Sequence, residues 1–124
     1  MAEEEDELKL IEWVKSARAE LKRFPDQVRY QVGSALLQVQ KGLGHPSIKI
    51  LKGFGGAAVR EIKTEDESGT FRVVFTVQFA KAIYVLHAFQ KKSKSGSKTP
   101  KEEMDRVARR LALAEIDYAA KYGR

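Results

Sequence analysis

The stretch TFRVVFTVQFAKAIYVLHAFQ, residues 70–90, decides the fold. Residues 70–79 and 82–90 are both rich in β-branched and aromatic side chains, the composition of strands. Alternation along the first run puts Phe71, Val73, Phe75 and Val77 on one face and Arg72, Val74, Thr76 and Gln78 on the other. Only Ala80-Lys81 separates the runs, so they are expected to form an antiparallel hairpin. Upstream, residues 57–63 read as another strand and residues 47–51 as a short one. The flexible Lys52-Gly53-Phe54-Gly55-Gly56 lies between those two, and the polar residues 64–69 are turn-like.

Before this β-rich block the periodicity is helical. Leu10, Val14, Ala17, Leu21 and Phe24 recur at steps of three and four, one face of a first helix with Glu3, Glu4, Glu5 and Asp6 crowding its start. Phe24-Pro25 ends it, because the residue before proline avoids the helical region. Pro25 opens a second helix with the stripe Val28, Val32, Ala35, Leu36 and Val39, which Gly42 and Gly44 stop. So short a break predicts an antiparallel helical hairpin. After the block, the basic Ser/Gly-rich segment KKSKSGSKTP, residues 91–100, leads to a last helix. Thr99 is its expected cap, with Pro100 first and Glu102 three residues on. Met104, Val107, Ala108, Leu111 and Ala114 form its stripe. The expected fold is α+β: an N-terminal helical hairpin (1–43) on a three- to four-stranded, mostly antiparallel sheet (47–92), then a C-terminal helix (99–120), all one domain. The second sheet face is expected to be free for binding.

Composition narrows the function. The chain has 124 residues and no cysteine, which excludes disulfides and thiolate chemistry. No apolar run is long enough for a membrane helix, and the acidic start is unlike a signal peptide, so a cytoplasmic protein is expected. The net charge of +6 is one-sided: residues 1–43 hold 7 Lys/Arg against 8 Asp/Glu, residues 44–124 hold 16 against 9. Such a field recruits phosphate-rich partners, although a lysine-rich solvated surface has the same composition. A metal is not expected, since His45 and His87 are the only histidines and no ligand spacing is visible. Nor is a cofactor, because Gly53, Gly55 and Gly56 lack a phosphate-loop context.

The candidate site gathers Glu61 and Lys63 on one strand, Arg72 on the next, His87 and Phe89 on the last, and Lys91 and Lys92 at its exit. Glu61 and Lys63 share a face, as do His87, Phe89 and Lys91. Read singly, Lys63 and Arg72 suit a wet sheet face and His87 a hydrogen-bonded core histidine. Read together, they suit RNA cleavage by its own 2′-hydroxyl, which needs a proton acceptor, cations on the phosphate and an acid for the leaving oxygen. Glu61 or a lysine would be the base, Arg72, Lys91 and Lys92 the phosphate clamp, and His87 the acid or a stacking group. Phe71 and Phe89 are candidate stacking surfaces. Lys52, Lys63, Phe89 and Lys94 complete the expected RNA contacts.

These segments carry a family resemblance. Leu51-Lys52-Gly53, Arg60-Glu61-Ile62-Lys63, Phe71-Arg72-Val73-Val74-Phe75 and above all LHAFQKKS, residues 86–93, are similar to the RelE/HigB-like toxins, closest to the branch labelled phage-derived. Residues 24–42 and Lys98-Thr99-Pro100-Lys101 extend the likeness, which spans roughly residues 13–115. The resemblance implies a ribosome-dependent mRNA endoribonuclease restrained by an antitoxin, usually a small helix-turn-helix protein. By position it implies that Arg72 contacts phosphate and that Lys91 and Lys92 are basic site residues. Glu61 departs from it, because some members carry lysine there. A gyrase-poisoning ParE-like member, a non-catalytic RNA- or protein-binding module and an inactive remnant are the competing readings. An antitoxin segment is expected on the apolar sheet rim or the first helix pair, covering the basic site.

Overall fold

The computed structural model describes residues 8–91 and 99–123. Five strands form one sheet: β1 (Leu10–Trp13), β2 (Ile48–Ile50), β3 (Val59–Asp66), β4 (Gly69–Thr76) and β5 (Ala82–Lys91). The order is β1-β5-β4-β3-β2, with β1 parallel to β5 and the other pairs antiparallel. Three helices accompany it: α1 (Ala17–Lys22), α2 (Asp26–Gln40) and α3 (Lys101–Tyr122).

The α+β class and the β3–β4–β5 meander match the sequence reading. The N-terminus differs. The expected first helix is two elements, because residues 10–13 pair with Ala82–Val85 of β5. Lys15 then takes a left-handed φ of 52°, turning the chain into the single-turn-and-a-half α1. A four-residue strand cannot display a period that overrides the helical one, and its partner is 72 residues away. The sheet therefore has five strands and is mixed, and in place of a helical hairpin α1 packs on β5 and α2 on β3.

Helix α2 follows the expected stripe, with Val28, Val32, Ala35, Leu36 and Val39 all buried. Gly42 ends it at φ +80°: the Leu43 N–H reaches the Gln38 carbonyl and the Gly42 N–H that of Val39, both at 2.9 Å. That pair of bonds needs a residue in the left-handed region, which glycine enters without strain. The 64–69 turn is shorter than expected. Strand β3 runs on to Asp66, leaving Glu67-Ser68 as the turn, since backbone pairing with β4 does not require apolar side chains. The Asp66 carboxylate closes it by accepting from the Ser68 N–H and hydroxyl, each at 2.7 Å.

The second sheet face is not free. On one side Ile62, Phe71, Val73, Phe75, Ile83 and Val85 bury against α1 and α2. On the other Val59, Val74, Tyr84, Leu86 and Phe89 bury against Val107, Ala114 and Tyr118 of α3. Each fully buried Val or Leu contributes about 1.5–3 kcal/mol, so covering both faces outweighs leaving one wet. The α3 stripe runs further than expected, to Tyr118 and Tyr122, while Ala108 is exposed. Thr99 does not cap α3. Pro100 occupies the cap position without a side-chain bond, and Thr99 turns to Glu61. No helix among the described residues is long and apolar enough to cross a membrane.

Candidate functional site

Strand register brings most of the expected residues onto the α3 side. Across β3, β4 and β5, Glu61 faces Val74, which faces His87; Lys63 faces Arg72, which faces Phe89; Thr70 faces Lys91. A bulge makes this possible. Val74 pairs with His87 but Phe75 pairs with Val85, so Leu86 is an extra residue on β5. Tyr84 and Leu86 face α3 before the bulge, and His87 and Phe89 face it afterwards. Without the extra residue, His87 would point to α1 and α2.

Around Glu61 and Arg72 lies a cleft of about 580 Å³, lined also by Lys49, Lys52, Lys63 and Thr99. Arg72 Nη1 donates to Glu61 Oε1 at 2.7 Å, and Thr99 Oγ1 donates to Glu61 Oε2 at 3.1 Å. Arg72 and Glu61 are only 3% and 6% exposed, so the guanidinium is held by a buried charge-assisted bond. Three lysines stand around this pair. Lys63 Nζ lies 3.9 Å from Glu65, an exposed pairing that leaves it available at the rim. The cleft is thus a floor of fixed guanidinium under a wall of ammonium groups, a geometry suited to a phosphodiester.

His87 lies outside that lining, 2% exposed. Its Nδ1 sits 2.9 Å from Glu20 Oε1 and its Nε2 2.6 Å from Glu103 Oε1. Arg110 grips Glu20 with both arms, Nη1 to Oε1 at 3.0 Å and Nη2 to Oε2 at 2.9 Å. The Ala88 N–H adds a bond to Glu20 at 3.1 Å, and Ser16 Oγ one at 2.8 Å. Burial alone would raise the Glu20 pKa. The donors Arg110, Ala88 N–H, His87 and Ser16 outweigh it and hold Glu20 down to about 2. Phe89 stacks on the His87 ring at 5.0 Å and is buried. Phe71 is buried on the opposite face, 4.9 Å from Phe24.

The structure therefore brings together Glu61, Lys63, Arg72 and Lys52, and adds Lys49 and Thr99. It separates His87 and Phe89 into a neighbouring buried network. Lys91 is buried on β5 opposite Thr70. Lys92 and Lys94 lie outside the described residues, as do Glu3, Glu4, Glu5 and Asp6. Sequence reasoning missed Glu20, Glu103 and Arg110, which read as ordinary helix-surface charges. Among the described residues no three His, Asp or Glu side chains cluster as a metal site.

The family model described as phage derived protein Gp49-like (DUF891) matches residues 19–112, and the chain belongs to that family. The fold is that of RelE. It superposes on the free E. coli RelE toxin carrying two arginine-to-alanine changes with a TM-score of 0.57, at 22% identity, covering 84% of this chain and 98% of that one. It matches the isolated E. coli RelE toxin with a TM-score of 0.50, at 18% identity, over 82% of this chain and 97% of that one. No curated protein matches the chain significantly.

Proposed function

We propose that this chain is the toxin of a toxin–antitoxin pair and that it cuts messenger RNA on the ribosome without a metal. The observation that carries the reading is Arg72, fixed by Glu61 on the floor of a cleft with Lys49, Lys52 and Lys63 around it. The RelE fold and the one-sided basic charge support it. In the reaction, O2′ of the RNA attacks the adjacent phosphorus and the bond from phosphorus to O5′ breaks. The products are a 2′,3′-cyclic phosphate and a 5′-hydroxyl. The 2′-hydroxyl proton passes to Glu61 Oε2, the oxygen Thr99 holds in the ground state. A rim ammonium, Lys63 foremost, supplies the proton to O5′. Arg72 stabilises the charge that builds on the equatorial oxygens. His87 has a positioning role, orienting the end of β5 through Glu20 and Glu103. On the sequence reading Lys92 and Lys94 add phosphate contacts, whereas Lys91 is buried and lies outside the cleft lining. The antitoxin, a helix-turn-helix protein on the resemblance, blocks the cleft.

The test is 5′-end mapping of a reporter message in a cell-free translation system, with wild type, Lys63→Ala and Arg72→Ala, each with and without ribosomes. New ends that need both wild-type protein and ribosomes support the reading. Intact message in every lane overturns it and favours gyrase poisoning or plain binding.

A further inference from the structure

The register of β2 on β3 ends at Ile62, with one more bond from the Lys63 N–H to the Ser47 carbonyl at 3.0 Å. Past that point a second hollow of about 500 Å³ opens between α2 and β3. Tyr30, Gln31 and Ser34 line it from the helix, and His45, Lys63 and Thr64 from the other side. Thr64 is only 7% exposed, yet its buried hydroxyl makes no hydrogen bond among the described residues. Leaving a buried hydroxyl unanswered is unfavourable, and a ligand that answers it recovers that loss.

The remaining groups describe the ligand. Tyr30 is 74% exposed, an open aromatic face beside the hollow. The Gln31 amide carries a donor and an acceptor side by side, the pairing that reads base edges. His45 Nδ1 accepts from the Ser47 N–H at 3.1 Å, so a neutral ring presents Nε2–H as a donor. One cation and one anion, Lys63 and Glu65, line this hollow, whereas the cleft is strongly basic. A flat, neutral, polar molecule with one stackable face fits these constraints, and the volume lies in the range of small-molecule sites, roughly 300–1,000 Å³. Lys63 lines both hollows. A strand whose phosphate rests in the cleft can pass its neighbouring base around Lys63.

We infer that this hollow is a recognition pocket for one unstacked base of single-stranded RNA, flanking the phosphate that the cleft holds. The identity of the ligand rests on the RNA-cleaving reading, but the pocket is testable without cleavage. The full chain, labelled with ¹⁵N, is titrated with each of the four ribonucleoside 5′-monophosphates and with ribose 5-phosphate as a base-free control. Saturable amide shifts at Tyr30, Gln31, Ser34, His45 and Thr64 are expected with at least one nucleotide and not with ribose 5-phosphate. Thr64→Val keeps the shape and removes the hydroxyl, and should weaken that binding about tenfold; Tyr30→Ala, at an exposed position, should do the same. Equal shifts from ribose 5-phosphate would reduce the site to a phosphate on Lys63 and overturn the pocket. Absence of shifts at these residues would also overturn it, and would leave the nuclease standing if the message is still cut. Base-dependent shifts from a chain that cuts no RNA would support the pocket and remove the nuclease reading.

Discussion

Arg110 of α3 donates to the carbonyl oxygen of Leu86 at 2.9 Å, the residue squeezed out of register where β5 bulges. The pairing of β1 with β5 stops at Val85, with one further bond from the Val14 N–H to the Val85 carbonyl. Just beyond, two oppositely charged side chains serve the strand edge: Arg110 takes the Leu86 carbonyl, Glu20 takes the Ala88 N–H, and they grip each other. Arg110→Ala takes the guanidinium from the largely buried Glu20 carboxylate, which keeps only the Ala88 N–H, Ser16 and His87, and leaves the Leu86 carbonyl without its side-chain donor. A stability loss of about 3–5 kcal/mol is expected by chemical denaturation. Arg110→Lys should recover under half of it, because an ammonium cannot make the paired bonds. A loss below about 1 kcal/mol for the alanine variant would refute this account.

Glu20 also sets an acid limit. Its carboxyl titrates near 2 in the folded chain against an ordinary 4.5, so the unfolded chain takes up the proton first. The stability it contributes is full above about pH 4.5 and falls away as pH drops toward 2. Thermal unfolding across that window should show a steeper fall for wild type than for Glu20→Gln. Parallel curves would mean that Glu20 does not carry the acid sensitivity.

Lys49, Lys52 and Lys63 predict the salt dependence of RNA binding. If each meets one phosphate, these three lysines should contribute about −2 to the slope of the logarithm of affinity against the logarithm of salt, at about −0.7 per contact on a single strand. Lys63→Ala should lower the slope by about 0.7 and leave the melting temperature nearly unchanged. An unaltered slope would put the phosphate track elsewhere.

The buried Glu61–Arg72 pair separates structure from chemistry. Arg72→Ala strands a buried carboxylate and should cost about 3–5 kcal/mol, whereas replacing both partners, Glu61→Gln with Arg72→Met, should be nearly neutral. Both variants should lose RNA cleavage in the end-mapping assay. Cleavage retained by the folded double variant would exclude Arg72 from the chemistry.

The legible parts were those governed by local pattern. The alternation from Phe71 to Gln78 sorted the two faces of β4, and the Val28–Val39 stripe placed α2. What escaped depends on distant partners. Leu10–Trp13 is strand because Ala82–Val85 is beside it, which no periodicity in the first 24 residues reveals. Lys63 and Arg72 are register partners, and Glu61, two residues before Lys63, turns to the same face, so alternation foretold their convergence. His87 left the cleft because Glu20 and Glu103, on two different helices, enclose it, and neither carboxylate differs in sequence from a solvated one.

The parallel pairing of β1 with β5 carries a consequence for biosynthesis. Leu10–Trp13 leaves the ribosome early but has no neighbour until Ala82–Val85 follows. Glu61, made halfway along, has its second oxygen engaged only once Thr99 emerges. Such late closure by long-range pairs delays folding relative to a chain built from local contacts. A nascent chain cut short before residue 99 holds the cleft's cations without their complete scaffold. The cleft is thus completed only when nearly the whole chain has been made and released from its ribosome.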